Sequence, residues 1–399
     1  MSGSGALAID TKTYHVDWEL SLSISGELVF ILTTKESFTF PNLGVNRAGF
    51  VTTKGTLSGV SLDGIWDIEC KDVVIPRVDA TLGSGVQYAV LYCHYGEVTL
   101  RKQGEHNIRS IKHFFNNLNE GNFDLNIDGK VVHFAEHNEI KEILSFHQYG
   151  RISVSAMSSA FIDLNQGEHM DSLLATLENL EWILSMITLN STYSSVQQCF
   201  NETGELVSWN IKTRVSFPFR NAGFIRNDHR FHGIKPFIEN HYSSFLALNK
   251  KFNMRVIVSL LLNTVNEKYP EFKIAGIIFG LEYYVSQMLL LYGDITQDSI
   301  EKMNIQGKLN RLNNKLRFIR KDKLDDYFRD HIRNPLFHQG CLMSLSMEEK
   351  AIIHKEYFEL LIQILLVSVG YTGKYISPDS WGIVDVPKLG NGGQLPPLI

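Results

Sequence analysis

Cysteine is scarce in this chain. Four cysteines in 399 residues (Cys70, Cys93, Cys199, Cys341) are scattered with no CxxC spacing. That argues against a disulfide framework and a zinc cluster and suits a reducing compartment, so a cytoplasmic location is expected. Charge of one sign is lacking too: the formal net charge is −5. A global attraction to nucleic acid or anionic membrane is thereby excluded, and any polyanion site must be a local patch. "MSGSGALAIDTKTYHVDW" has no basic run followed by an apolar one, so no signal peptide is expected. The most apolar window, "IAGIIFGLEYYVSQMLLLYG", carries Glu282 and Gln287 near its middle, which fits a buried helix better than a membrane span. No internal repeat, low-complexity tract, glycine-rich phosphate loop, GxSxG elbow or Cys-His nucleophile pair stands out.

What is present falls into two halves with different periods, as the length suggests. Residues 1–217 read as a β-rich antiparallel domain with embedded helices. "YHVDWELSLSISGELVFILTT" alternates around Ser-Gly, "VDATLGSGVQYAVLYCHYGEVTLRK" repeats the theme, and "FDLNIDGKVVHF" carries Asp-Gly between alternating arms. Helices are expected at "NIRSIKHFFNNL" and at "EHMDSLLATLENLEWILSMITL", and strands return in "SSVQQCFNETGELVSWNIKTRVSF". Residues 218–234 read as a connection. From 235 to 373 the period is 3.6, giving an all-α bundle of six helices. The last starts with a capping box, Ser346 and Glu349, and stops at Gly370. Residues 374–399 read as an irregular tail. The fold class is therefore α+β, with the sheet first and the helical bundle second.

The stretch "RDHIRNPLFHQGC" holds the candidate chemistry. Leu324, Phe328, Ile332 and Leu336 form an i, i+4 ladder that anchors this helix in a core. On an unbroken helix Arg333 and His338 point about 140° apart. Pro335 is expected to break the helix, with Asn334 as N-cap of a fresh turn whose free N–H groups face the space beside Arg333. Arg supplies a permanent forked charge for phosphate, and His passes protons near neutrality. Those parts suit metal-free RNA cleavage by the ribose 2′-OH, and a twofold axis would supply two of each. The alternative is an ordinary polar end of a packed helix. The preceding "KLNRLNNKLRFIRKDKLDDYFRDHIR" is rich in cations: either Arg317, Arg320 and Arg329 track phosphates, or the segment is a solvated face.

"RNPLFHQG" in a C-terminal helical bundle resembles the Arg-x4–6-His motif of HEPN domains, whose usual form has a polar residue after the Arg. The order of the two halves is similar to ApeA-type anti-phage HEPN proteins, and "LENLEWILSMITLNSTYSSVQQCFNETGELVSWNIKTRVSFPF" resembles the end of their N-terminal region. The resemblance implies a homodimeric ribonuclease with a composite site at the helical interface. It implies cellular RNA such as tRNA as substrate, cleaved in abortive infection after a phage-derived trigger, with no metal or cofactor. Arg333 and His338 would be catalytic and Asn334 supporting. HEPN domains also serve as inactive binding or dimerisation modules.

Other residues carry competing readings. Glu282 either partners a basic motif residue or is a hydrogen-bonded core carboxylate. Asp330 either orients Arg333 from one turn back or forms a surface pair. Arg226, Asn227 and His232 give an Arg-x5-His spacing in the connection, with Asn in the same place, and read as a decoy. His133 and His137 have metal-compatible spacing only on a helix, and the Asp-Gly hairpin makes His133 a strand residue, so no metal site is expected. "FGLEYYVSQ" reads as core packing.

Overall fold

A computed structural model describes residues 1–9, 11–22, 28–36, 54–83, 86–94, 97–104, 106–118, 122–136, 156–164, 168–212, 223–227, 233–293, 295–323 and 326–395. The expected Ser25-Gly26 turn lies outside them. The chain divides into two compact units: Met1–Leu177 with Thr192–Phe219, and Glu178–Ser191 with Arg220–Ile399. The protein is α+β, an antiparallel sheet unit followed by a helical unit.

The first unit is built from β1 (Ser2–Ile9), β2 (Lys12–Leu22), β3 (Leu28–Thr34), β4 (Lys54–Ser61), β5 (Trp66–Gly83), β6 (Val86–His94) and β7 (Glu97–Lys102). It continues with β8 (Ile108–Asn116), β9 (Phe123–Ile127), β10 (Lys130–Glu136), β11 (Ala156–Asp163), β12 (Tyr193–Asn201) and β13 (Leu206–Lys212). The order is β4-β1-β2-β3-β6-β5-β7-β13-β12-β8-β11-β10-β9, and a further β4–β5 pairing closes the first six into a ring. Alternate residues fill that ring: Leu7 and Ile9, then Tyr14, Val16, Trp18 and Leu20, then Phe30 and Leu32 are buried together. Period-two burial of this kind is what one filled sheet face requires.

Two strands depart from the expectations. β1 occupies the Ser-Gly start, which carries no apolar alternation at its beginning. Its glycines are needed because a Cβ on Gly5 would lie 2.2 Å from the Ser58 carbonyl oxygen and 2.7 Å from the Gly59 Cα. "NIRSIKHFFNNL" is not a helix but strand β8, flanked by β11 and β12. Its buried row is Ile111, His113 and Phe115, and the histidine breaks the apolar alternation. His113 Nδ1 and Gln197 Nε2 lie 2.9 Å apart, at directly paired positions of β8 and β12. The β9–β10 turn at Asp128 (φ 49°) and Gly129 (φ 76°) has the two left-handed residues that Asp-Gly suits.

Helix α1 (Met170–Thr188) buries Leu173, Leu177, Leu180, Ile183 and Leu184, and the division between the units falls within it. The helical unit then runs α2 (Ile234–Lys251), α3 (Met254–Asn266), α4 (Pro270–Leu291), α5 (Gln297–Glu301), α6 (Ile305–Leu316), α7 (Asn334–Gln339) and α8 (Met347–Ser368). α5 and α6 replace one expected helix, because Asn304 accepts from the Gly307 N–H at 2.8 Å and starts a new one. α4 is long and apolar enough to cross a membrane by length and composition, and half of its most apolar window is buried inside the protein. It runs parallel to α8: Glu271 meets Lys350 at 2.6 Å, Gly280 faces Leu361, and Tyr284 hydrogen-bonds Ser368. The Ser346–Glu349 capping box forms at the start of α8.

The tail is more ordered than an irregular strap. β14 (Lys374–Ile376) pairs with β15 (Ile383–Asp385), and the Gly390–Gln394 loop returns to the end of α6. There the Gly390 N–H donates to the Leu316 carbonyl at 3.2 Å and the Gln394 N–H to that of Lys315 at 2.9 Å.

Candidate functional site

The motif lies on a continuous helical segment. Phe328–Arg333 form one π-helical turn that leads directly into α7. Arg333 (φ −63°, ψ −52°) and Asn334 (φ −66°, ψ −47°) are both right-handed helical, and the Asn334 N–H donates to the Arg329 carbonyl five residues back. The expected break with Asn334 as N-cap is therefore corrected. Pro335 lacks an N–H and its ring crowds the carbonyl four residues earlier; the widened π turn makes room for it without a new start. Of the core ladder, Phe328, Ile332 and Leu336 are buried, and Leu324 lies outside the described residues.

Arg333 is held by three neighbours. Its Nε donates to Glu282 Oε1 at 3.1 Å, its Nη1 reaches Asn334 Oδ1 at 3.4 Å, and its Cζ lies 5.1 Å from the centre of the Phe337 ring. Phe337 is braced edge-to-face by Phe279 of α4 at 5.1 Å. Among the described residues Nη2 meets no acceptor, so one edge of the fork stays open on a side chain that is one-third exposed. His338 is exposed and, among the described residues, has no hydrogen-bond partner. With the helix unbroken between them, Arg333 and His338 of one chain diverge by about 140°. The structure thus joins Arg333, Asn334 and Glu282, and leaves His338 apart.

The other arginines are engaged within the chain. Arg329 is forked onto Asp330 at 2.7 and 2.8 Å and also meets Asp326 at 2.9 Å, so Asp330 does not orient Arg333. The hydrogen bond from Arg329 holds the Asp330 carboxyl below the usual range. Arg320 is forked onto Asp322 at 3.0 and 2.9 Å. Arg317 caps α6 in a left-handed conformation (φ 58°) and donates to the Asn391 carbonyl, wrapped by Gly390 and Gly392. These three make no open cationic track. Of the decoy, Asn227 accepts from the Ile234 N–H at 3.2 Å, and His232 lies outside the described residues. His133 is a strand residue 2.8 Å from Asp124, and His137 is not among the described residues.

Sequence reasoning missed Phe279 and Phe337. "FGLEYYVSQ" is core at Leu281, Tyr284 and Val285, but Phe279 is 49% exposed and Phe337 37%. Phe279 falls three residues before Glu282, on the side of α4 nearest the motif, and that spacing was the available signal.

Titratable groups with shifted equilibria also lie off the site. His354 of α8 stacks on Phe358 at 5.6 Å and has a buried Nε2 with no partner. Burial, then the charges of Lys273 and Lys355, push its pKa down to about 4.

No family model and no curated protein matches the chain. Among solved structures, a type VI secretion system effector from Yersinia pestis is 16% identical over 25% of this chain and 91% of its own, with a TM-score of 0.21. Hcp1 from Salmonella typhimurium is 13% identical over 26% and 88%, also with a TM-score of 0.21. Likeness at this level decides neither fold nor function.

Proposed function

We propose that this chain is a metal-independent endoribonuclease of the HEPN class, acting as a homodimer through its helical unit. The observation that carries the reading is the held guanidinium. Glu282, Asn334 and Phe337 fix Arg333 with one fork edge open, at the position that the Arg-x4-His resemblance marks as catalytic. A fixed fork stabilises the charge that gathers on phosphate oxygens as the 2′-OH attacks. An imidazole takes the hydroxyl proton and another returns one to the leaving 5′-oxygen.

The divergence of Arg333 and His338 within one chain makes the second copy essential: each phosphodiester meets Arg333 of one protomer and His338 of the other. Cellular RNA is the substrate, tRNA the first to test, in a cytoplasmic anti-phage defence by abortive infection, with the sheet unit as sensor or substrate-positioning domain. Purified protein is expected to cut RNA in the presence of EDTA and leave a 2′,3′-cyclic phosphate. Arg333→Ala and His338→Ala are each expected to abolish cutting with circular dichroism and dimer mass unchanged. Retained cutting by both variants refutes the assignment.

The same divergence favours a second reading, a non-catalytic dimerisation or binding module that recognises a phage protein. Expression toxicity separates the two: relief of toxicity by His338→Ala belongs to the nuclease, indifference to the module.

A further inference from the structure

Aromatic side chains that the protein does not bury lie at the start of α4, along it and on α7 opposite it. Tyr269, Phe272, Phe279 and Phe337 are 65%, 61%, 49% and 37% exposed. They form two edge-to-face pairs, Tyr269 with Phe272 at 6.0 Å and Phe279 with Phe337 at 5.1 Å. Exposed rings in such pairs cost solvation without filling a core, and exposed aromatic surface of this kind marks an interaction site. Phe272 and Phe279 are seven residues apart, so they share one side of the helix about 10 Å apart along its axis. That spans about three stacked nucleotides at roughly 3.4 Å each.

We infer that this face is a nucleobase-stacking platform that holds a single-stranded nucleic acid leading to Arg333. Deepening the nuclease reading, it rests on that reading for the position of the scissile phosphate. Three observations favour a nucleic-acid strand. First, Arg333 lies over one face of Phe337, so a phosphate at the open fork edge lies beside the exposed rings. Second, Asn334 Oδ1 is 3.4 Å from Arg333 Nη1, which leaves its amide NH2 to donate to an acceptor on a base edge. Third, the acids along this face are occupied: Glu282 holds Arg333, Glu271 holds Lys350, and Glu267 accepts from the N–H groups of Lys268 and Tyr269. Lys268 and Lys273, next in sequence to Tyr269 and Phe272, both act on the Glu267 carboxylate and exceed it by one charge, which suits a phosphate backbone. Stacking on exposed rings with cations alongside is how strands are held without strict sequence readout.

The test uses the full chain and two probes that lack the 2′-hydroxyl nucleophile: a short oligothymidylate and the abasic deoxy-oligomer of equal length. Binding is read by fluorescence anisotropy for the wild type, Phe279→Leu, Phe272→Leu and the ring-conserving Phe279→Tyr. Each leucine variant is expected to weaken the oligothymidylate about tenfold while leaving the abasic oligomer unchanged, and tyrosine is expected to restore wild-type affinity. Equal losses on both probes, no loss, or no binding of either probe overturns the platform. A shift from dimer to monomer in sedimentation of the leucine variants also overturns it, because the face then belongs to a second copy. Neither probe can be cut, so a failure of Arg333 and His338 as catalysts leaves these affinities untouched and is distinguishable from a failure of the platform.

Discussion

His354→Leu tests whether burial of an unpartnered imidazole sets the acid sensitivity of the helical unit. The side chain stacks on Phe358 with its Nε2 buried and unpaired, and its pKa lies at about 4 against an ordinary 6.5. The folded state holds the neutral ring, so between these values the unfolded chain binds the proton more readily. Stability is therefore undiminished above the unfolded value and falls as pH drops from 6.5 toward 4. Linkage over that window predicts a loss of about 2 kcal/mol between pH 7.5 and pH 5 from this residue alone. Leucine keeps the volume and removes both the proton and the orphan nitrogen, so near pH 7.5 it is expected to match the wild type within about 1 kcal/mol. At pH 5 it is expected to be the more stable protein by about 2 kcal/mol. Hydrogen exchange of α8 amides, read by mass spectrometry, reports the opening free energy of this unit. Parallel pH dependences for the two proteins would refute the reasoning.

Further expectations concern the packing that presents the site. Gly5→Val places a side chain against the Ser58 carbonyl and the Gly59 Cα, at 2.2 and 2.7 Å for its first carbon. It is expected to cost the sheet unit about 3 kcal/mol or more, read by urea unfolding, and a neutral outcome would show that β1 and β4 separate freely. Ser346→Ala removes half of the capping box on α8 and is expected to cost about 1 kcal/mol, seen first as faster exchange in the first turn of that helix. An unchanged first turn would assign the cap to Glu349 alone.

Local chemistry made much of the fold readable. The Asp128-Gly129 turn, the capping box at Ser346 and the 3.6 spacing from 235 onward are each specified by neighbours in the chain. β8 was unreadable because its buried row includes His113, whose cost is met by Gln197 on another strand. β1 was unreadable because its glycines answer to β4 rather than to their own neighbours. At the site, Arg333 and His338 were visible as a spacing, whereas the engagement of the arginines before them was not. Asp326 and Asp330 stand within three residues of Arg329, and their pairing with it was a local signal outweighed by the general excess of cations.

The sequence alone determined the two periods, the long apolar α4 and the position of an arginine and a histidine five residues apart. Those features depend on contacts between near neighbours along the chain. Only the tertiary structure decided that Pro335 is absorbed by a π turn, that Glu282 clamps Arg333 across fifty-one positions, and that Phe279 stays exposed beside it. A carboxylate on one helix meets a guanidinium on another only once the buried faces of both are packed, and no local spacing encodes that meeting.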